Sequence, residues 1–99
     1  MEKLWTWGGE FFGYKSNERL WTHSGKNVGK FYDDEVYGID GRYLGEIKNG
    51  RLITKKSMKS YRKSSFSPYA NRVGIVKNVN YVGYVMYVGY EDFPSPDSF

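Results

Sequence analysis

Ninety-nine residues with fifteen Lys and Arg, eleven Asp and Glu and a formal net charge of +4 make one small, mildly basic domain, or one domain with an appendage. The chain has no cysteine, which excludes disulfides, thiolate zinc sites and cysteine nucleophiles, and its single histidine excludes a multi-histidine metal site. Twelve glycines, 19% aromatic residues and the lack of a long 3.6-residue apolar period exclude an all-helical fold.

The chain opens on a repeat. Leu4-Trp5-Thr6 returns 16 residues later as Leu20-Trp21-Thr22, then as Val36-Tyr37-Gly38 and Leu52-Ile53-Thr54. Gly9, Gly25 and Gly41 share one column; Gly13, Gly29 and Gly45 share another, each preceded by an apolar residue, Phe12, Val28 or Leu44. Gly8-Gly9, Ser24-Gly25 and Asp40-Gly41 read as two-residue hairpin turns of type I′, whose second position favours glycine because φ is positive there. That geometry sets Trp5 opposite Phe12, Trp21 opposite Val28 and Tyr37 opposite Leu44. It also sets Leu4, Leu20 and Val36 opposite Gly13, Gly29 and Gly45, where a missing Cβ leaves room for close approach. Short polar links join the units at Ser16–Arg19, Asp33-Asp34 and Lys48–Arg51. One hairpin is marginal in water, so several must combine to bury both apolar columns. Residues 1–54 are therefore expected to form an all-β hairpin-repeat domain. The fourth unit begins at Leu52 but loses its turn at Lys55-Lys56-Ser57, so it is degenerate or completed by another part of the chain.

Residues 55–72 are basic and rich in Ser and Tyr. No acid occurs between Glu46 and Glu91, whereas nine cations do. Two readings stay open: a solvated segment, or a nucleic-acid contact made by Lys55, Lys56, Lys59, Arg62 and Lys63 with Tyr61, Phe66 and Tyr69 stacking on bases. Residues 73–93 are rich in Gly, Tyr and Val. They read as a strand pair, or as a segment that packs on or extends the repeat and promotes self-association into a homo-oligomer. Lys77, Asn78, Asn80 and the scattered tyrosines argue against a membrane span. Residues 94–99, with Pro94 and Pro96, read as a frayed tail. No secretory leader is visible, which with the absence of cysteine leads us to expect a cytoplasmic location.

The stretch Val36-Tyr37-Gly38-Ile39-Asp40-Gly41-Arg42-Tyr43-Leu44-Gly45, followed by Asn49-Gly50, resembles the core motif of bacterial four-fold β-flower proteins. The resemblance covers roughly residues 4–54 and extends to the Lys-rich stretch that follows. It implies four hairpin petals around a pseudo-four-fold axis. It implies no activity.

Candidate chemistry is sparse. His23 has Ser24 beside it, but its repeat equivalents are Trp7 and Ile39, so it reads as structural rather than as a base. Asp33-Asp34-Glu35 cannot converge on one cation, because successive side chains of an extended chain alternate in direction. Glycines lie at turns and strand centres, not before a helix, so no phosphate loop is present. Catalysis, metals and cofactors are accordingly not expected. Trp5, Trp7, Trp21 and Tyr37 either line a ligand pocket or belong to the core. The leading expectation is a non-catalytic binding module for a protein or a small anionic ligand such as a nucleotide.

Overall fold

The structure is a computed structural model that describes residues 1–99. Eight strands follow one another around a single sheet: β1 (Glu2–Thr6), β2 (Phe11–Ser16), β3 (Arg19–Thr22), β4 (Asn27–Tyr32), β5 (Glu35–Gly38), β6 (Tyr43–Lys48), β7 (Arg51–Lys55) and β8 (Tyr90–Asp92). Each is antiparallel to the next. The first seven close into a barrel because β1 also runs parallel to β7, with Trp5 opposite Arg51 and Thr6 opposite Leu52. Helix is confined to two short 3₁₀ turns, Lys56–Met58 and Pro96–Ser98.

The loops that were expected to be two-residue turns hold three residues. The Thr6 N–H donates to the Glu10 carbonyl and the Gly9 N–H to that of Thr6, so the loop is Trp7-Gly8-Gly9 with Gly9 at φ 96°. The same bonds close His23-Ser24-Gly25 and Ile39-Asp40-Gly41. A turn ending in a left-handed glycine adds one residue to the returning strand. The register therefore shifts at one place in each of these three hairpins, between Leu4 and Trp5, Leu20 and Trp21, and Val36 and Tyr37. Trp5 faces Phe11 rather than Phe12, Trp21 faces Asn27 rather than Val28, and Tyr37 faces Tyr43 rather than Leu44. The glycine pairings of Leu4, Leu20 and Val36 occur as expected. The two-residue turns lie at the opposite end, where Asn17-Glu18 and Asn49-Gly50 have positive φ at both positions.

The shift explains the core. Left unpaired by the bulge, Phe12 joins the barrel interior beside Gly13 instead of lying on the face that carries Trp5. Leu4, Phe12, Leu20, Val28, Phe31, Val36, Leu52 and Phe93 form one buried cluster, with Leu44, Ile47 and Phe99 packed against it. Both 16-residue apolar columns thus point inward, and Trp5, Trp21 and Tyr37 point out.

The second half wraps the barrel from outside. After the 3₁₀ turn at Lys56–Met58 the chain runs without a strand of its own to β8. We call residues 59–89 the strap. They are neither a strand pair nor a loose segment, because the strap is bonded along the loop end of the barrel, as detailed below. The strap then delivers β8 beside β7, where Ile53 faces Asp92 and Lys55 faces Tyr90, and so supplies the partner the fourth unit lacks. The tail is seated, not frayed: Pro96 is buried, Ser95 caps the final 3₁₀ turn, and the Phe93 and Phe99 rings meet Phe12 edge-on at 5.3 and 5.7 Å. Ring burial outweighs the ladder bonds that prolines cannot make.

Candidate functional site

The strap is held at intervals that match the repeat beneath it. Backbone N–H groups of Lys63, Arg72 and Tyr81 donate to the carbonyls of Gly41, Gly25 and Gly9 at 2.9, 2.8 and 2.8 Å. Those of Phe66, Ile75 and Tyr84 donate to Ile39, His23 and Trp7 at 3.0, 2.8 and 3.0 Å. Nine strap residues therefore span the step that takes 16 residues in the barrel. The two chains run in opposite directions, so the strap passes the third, second and first loops in turn. At each crossing the strap carbonyl of Lys63, Arg72 or Tyr81 lies against the loop glycine, where an added Cβ would sit about 2 Å from the oxygen. The loop glycines are thus required twice, for their positive φ and for this approach.

Side chains seal the crossings. Tyr81 stacks on Trp5 with centroids 4.2 Å apart, the Arg72 guanidinium lies 3.8 Å over Trp21, and the Lys63 ammonium lies 5.3 Å from Tyr37. Indole N–H groups of Trp5 and Trp7 donate to the carbonyls of Val79 and Val85. From below, Arg51 donates to the Val82 carbonyl at 2.8 Å under the Tyr84 ring, and Arg19 lies over Phe66 and Tyr69. The four aromatic candidates are accounted for in this way. Trp7, Trp21 and Tyr37 are buried beneath the strap and Trp5 is half-buried; none of them borders the largest cavity, and Trp7 lines a smaller one of about 350 Å³ with Asn49, Tyr84, Val85 and Tyr87.

Three-residue spacing governs the strap. From Val73 it reads Val-Gly-Ile, Val-Lys-Asn, Val-Asn-Tyr, Val-Gly-Tyr, Val-Met-Tyr, Val-Gly-Tyr. An extended chain of polyproline II type has three residues per turn and no internal hydrogen bonds, so each triplet position forms one column. The column ending each triplet turns inward and makes the loop contacts. The valine column turns outward: Val73, Val76, Val79, Val82, Val85 and Val88 are between 77% and 102% exposed. This row is the most distinctive surface of the molecule, and the triplets were the signal in the sequence that would have found it.

The cationic candidates do not gather into one patch. Lys59 pairs with Glu91 at 2.7 Å, Lys63 lies over Tyr32 and Tyr37, and Lys55 is half-buried with its N–H on the Tyr43 hydroxyl. Lys56 and Arg62 are exposed, as is Tyr61. The Tyr37 hydroxyl donates to Glu35 at 3.0 Å; burial first, and then this carboxylate, push its pKa up to about 12. Burial raises the Tyr43 hydroxyl as well, against the Lys55 N–H and with the carboxylate of Glu46. Both phenols stay neutral donors at physiological pH.

The barrel mouth at the loop end holds a cavity of about 760 Å³ between the second and third loops, with strap residues Phe66 and Tyr69 on one side. His23 is not in it; its ring stacks beside Phe11. No three His, Asp or Glu side chains group as metal ligands, and no helix is long and apolar enough to cross a membrane. No family model, curated protein or solved structure matches the chain.

Proposed function

We propose that this protein is a non-catalytic interaction module and that the strap is its docking surface, with a second copy of the chain as the partner. The carrying observation is the outward valine row. Six β-branched side chains face solvent in one line, where a soluble surface ordinarily scatters them. Fully burying one such side chain contributes about 1.5 kcal/mol or more, so covering the row is worth several kcal/mol before association costs.

A second copy suits the row for two reasons. Constant three-residue spacing makes the row complementary to itself when two straps lie antiparallel. Charge does not oppose the pairing, because Lys77 is the only ionisable strap residue beyond Arg72 other than tyrosines. The same architecture supports reading the four hairpins, β1–β2, β3–β4, β5–β6 and β7–β8, as petals of the β-flower type, the last petal being closed by a distant strand.

Sedimentation or light scattering of the full chain tests the reading. Wild type is expected to be a dimer, and Val79→Ser with Val82→Ser is expected to dissociate it while circular dichroism stays unchanged. A wild-type monomer at high concentration, or an assembly indifferent to the substitutions, overturns it; so does a monomer that instead co-sediments with vesicles.

A second reading, nucleic-acid contact through residues 55–72, is favoured by Tyr61 and Tyr69, each about half exposed among cations. It requires an affinity that falls with rising salt and with neutralisation of Lys55, Lys56 and Lys59. Salt-independent binding, or none, rejects it.

A further inference from the structure

The tail covers only part of the barrel mouth. Leaving β8, it crosses the first loop, where the Gly8 N–H donates to Asp92 at 3.1 Å and the Ser95 hydroxyl donates to Glu10 at 3.2 Å. It reaches the second loop, where the Lys26 ammonium donates to the Phe99 carbonyl at 3.0 Å. Phe99 forms one wall of the cavity of about 760 Å³. That volume lies within the range of small-molecule sites.

Its two ends differ in chemistry. Core residues Val28 and Leu44, with Phe99, supply an apolar floor, and the rim carries Lys26, Arg42 and Asp40. Arg42 meets Asp40 only through Nε at 3.8 Å, with both side chains more than half exposed, and its outer guanidinium nitrogens make no hydrogen bond or ion pair within the chain. A guanidinium of this kind suits a carboxylate fork. The tail shows the pattern such a site selects, since Phe99 places its ring on the core and an oxygen on Lys26.

We infer that this opening is a binding site for a small carboxylate with an alkyl or aryl body, the body beside Phe99 and the carboxylate on Arg42 and Lys26. The lining also holds Asp40, Ser65 and Asn71, which can hydrogen-bond a ribose, so a mononucleotide is the competing ligand that the test must separate from a carboxylate.

The test is calorimetric titration of the full chain with octanoate and 3-phenylpropanoate, with octanol and AMP as comparators. Saturable binding of the two acids is expected, with octanol weaker. Arg42→Gln and Lys26→Gln should each weaken octanoate by roughly tenfold, the loss expected for one charge-assisted contact. Ile39→Trp, at an exposed position on the rim, should block it. Unsaturable binding, octanol equal to octanoate, tighter AMP, or octanoate binding that survives Ile39→Trp unchanged each overturns the assignment. Because all three positions are exposed, folding of the variants can be verified independently by circular dichroism.

Discussion

The barrel and the strap are equally continuous pieces of chain, yet they are ordered by different means. In the barrel, each hairpin is held by its own ladder and by side chains that meet inside. The strap has no ladder and no core. Its backbone is fastened to the barrel by single hydrogen bonds, one column of its side chains makes ring contacts there, and the valine side chains face water. A segment can therefore be fully specified by a host surface without any internal structure to hold it. The second loop shows the dependence at one residue, since Gly25 ends a hairpin loop and is also the point where the Arg72 carbonyl rests.

Substitutions that touch one region and spare the other sharpen this contrast. Phe93→Ala should have the largest effect, about 3–5 kcal/mol, because it empties core volume and loosens β8 from β7. Denaturant unfolding measures it, and a loss under about 1 kcal/mol would show that the barrel stands without the chain that closes its fourth hairpin.

Gly25→Val should cost about 1–3 kcal/mol from its left-handed backbone and in addition push the strap away. Gly50→Ala is the control, with positive φ but nothing within 4 Å. Hydrogen exchange should quicken at Arg72 and Ile75 in the first variant and not in the second. Equal exchange in both would mean that the strap does not depend on the loop glycine.

The smallest effect belongs to alkaline pH. Because burial and the Glu35 carboxylate raise the folded pKa of Tyr37 to about 12, above the usual tyrosine value of about 10, its contribution is complete below pH 10 and lost as pH rises towards 12. The loss should be on the order of 1 kcal/mol by pH 11, with Tyr43 acting in the same direction. Tyr37→Phe should flatten the slope of the denaturant midpoint against pH. An unchanged slope would place the sensitivity elsewhere.

The 16-residue period, the all-β class and the pairing of Leu4, Leu20 and Val36 with glycine were legible in the sequence, because chain reversal is local and leaves its residues in adjacent columns. The loop length was not, since Gly8-Gly9 and Asp40-Gly41 suit a two-residue turn as well as a three-residue one. Only the bulge, required to bring Phe12 and Val28 inside, decides between them. The closing of the fourth hairpin by residues 35 positions downstream of Lys55 was equally beyond local reading.

The strap divides the same way. Its triplets are written plainly from Val73 to Tyr90, and they fix an extended chain with three distinct columns. Which column faces water is not in the triplets, because an extended chain without internal bonds has no inside. The barrel decided it, by offering carbonyls and aromatic faces that Tyr81, Tyr84 and Arg72 could cover, and the valines were left outward.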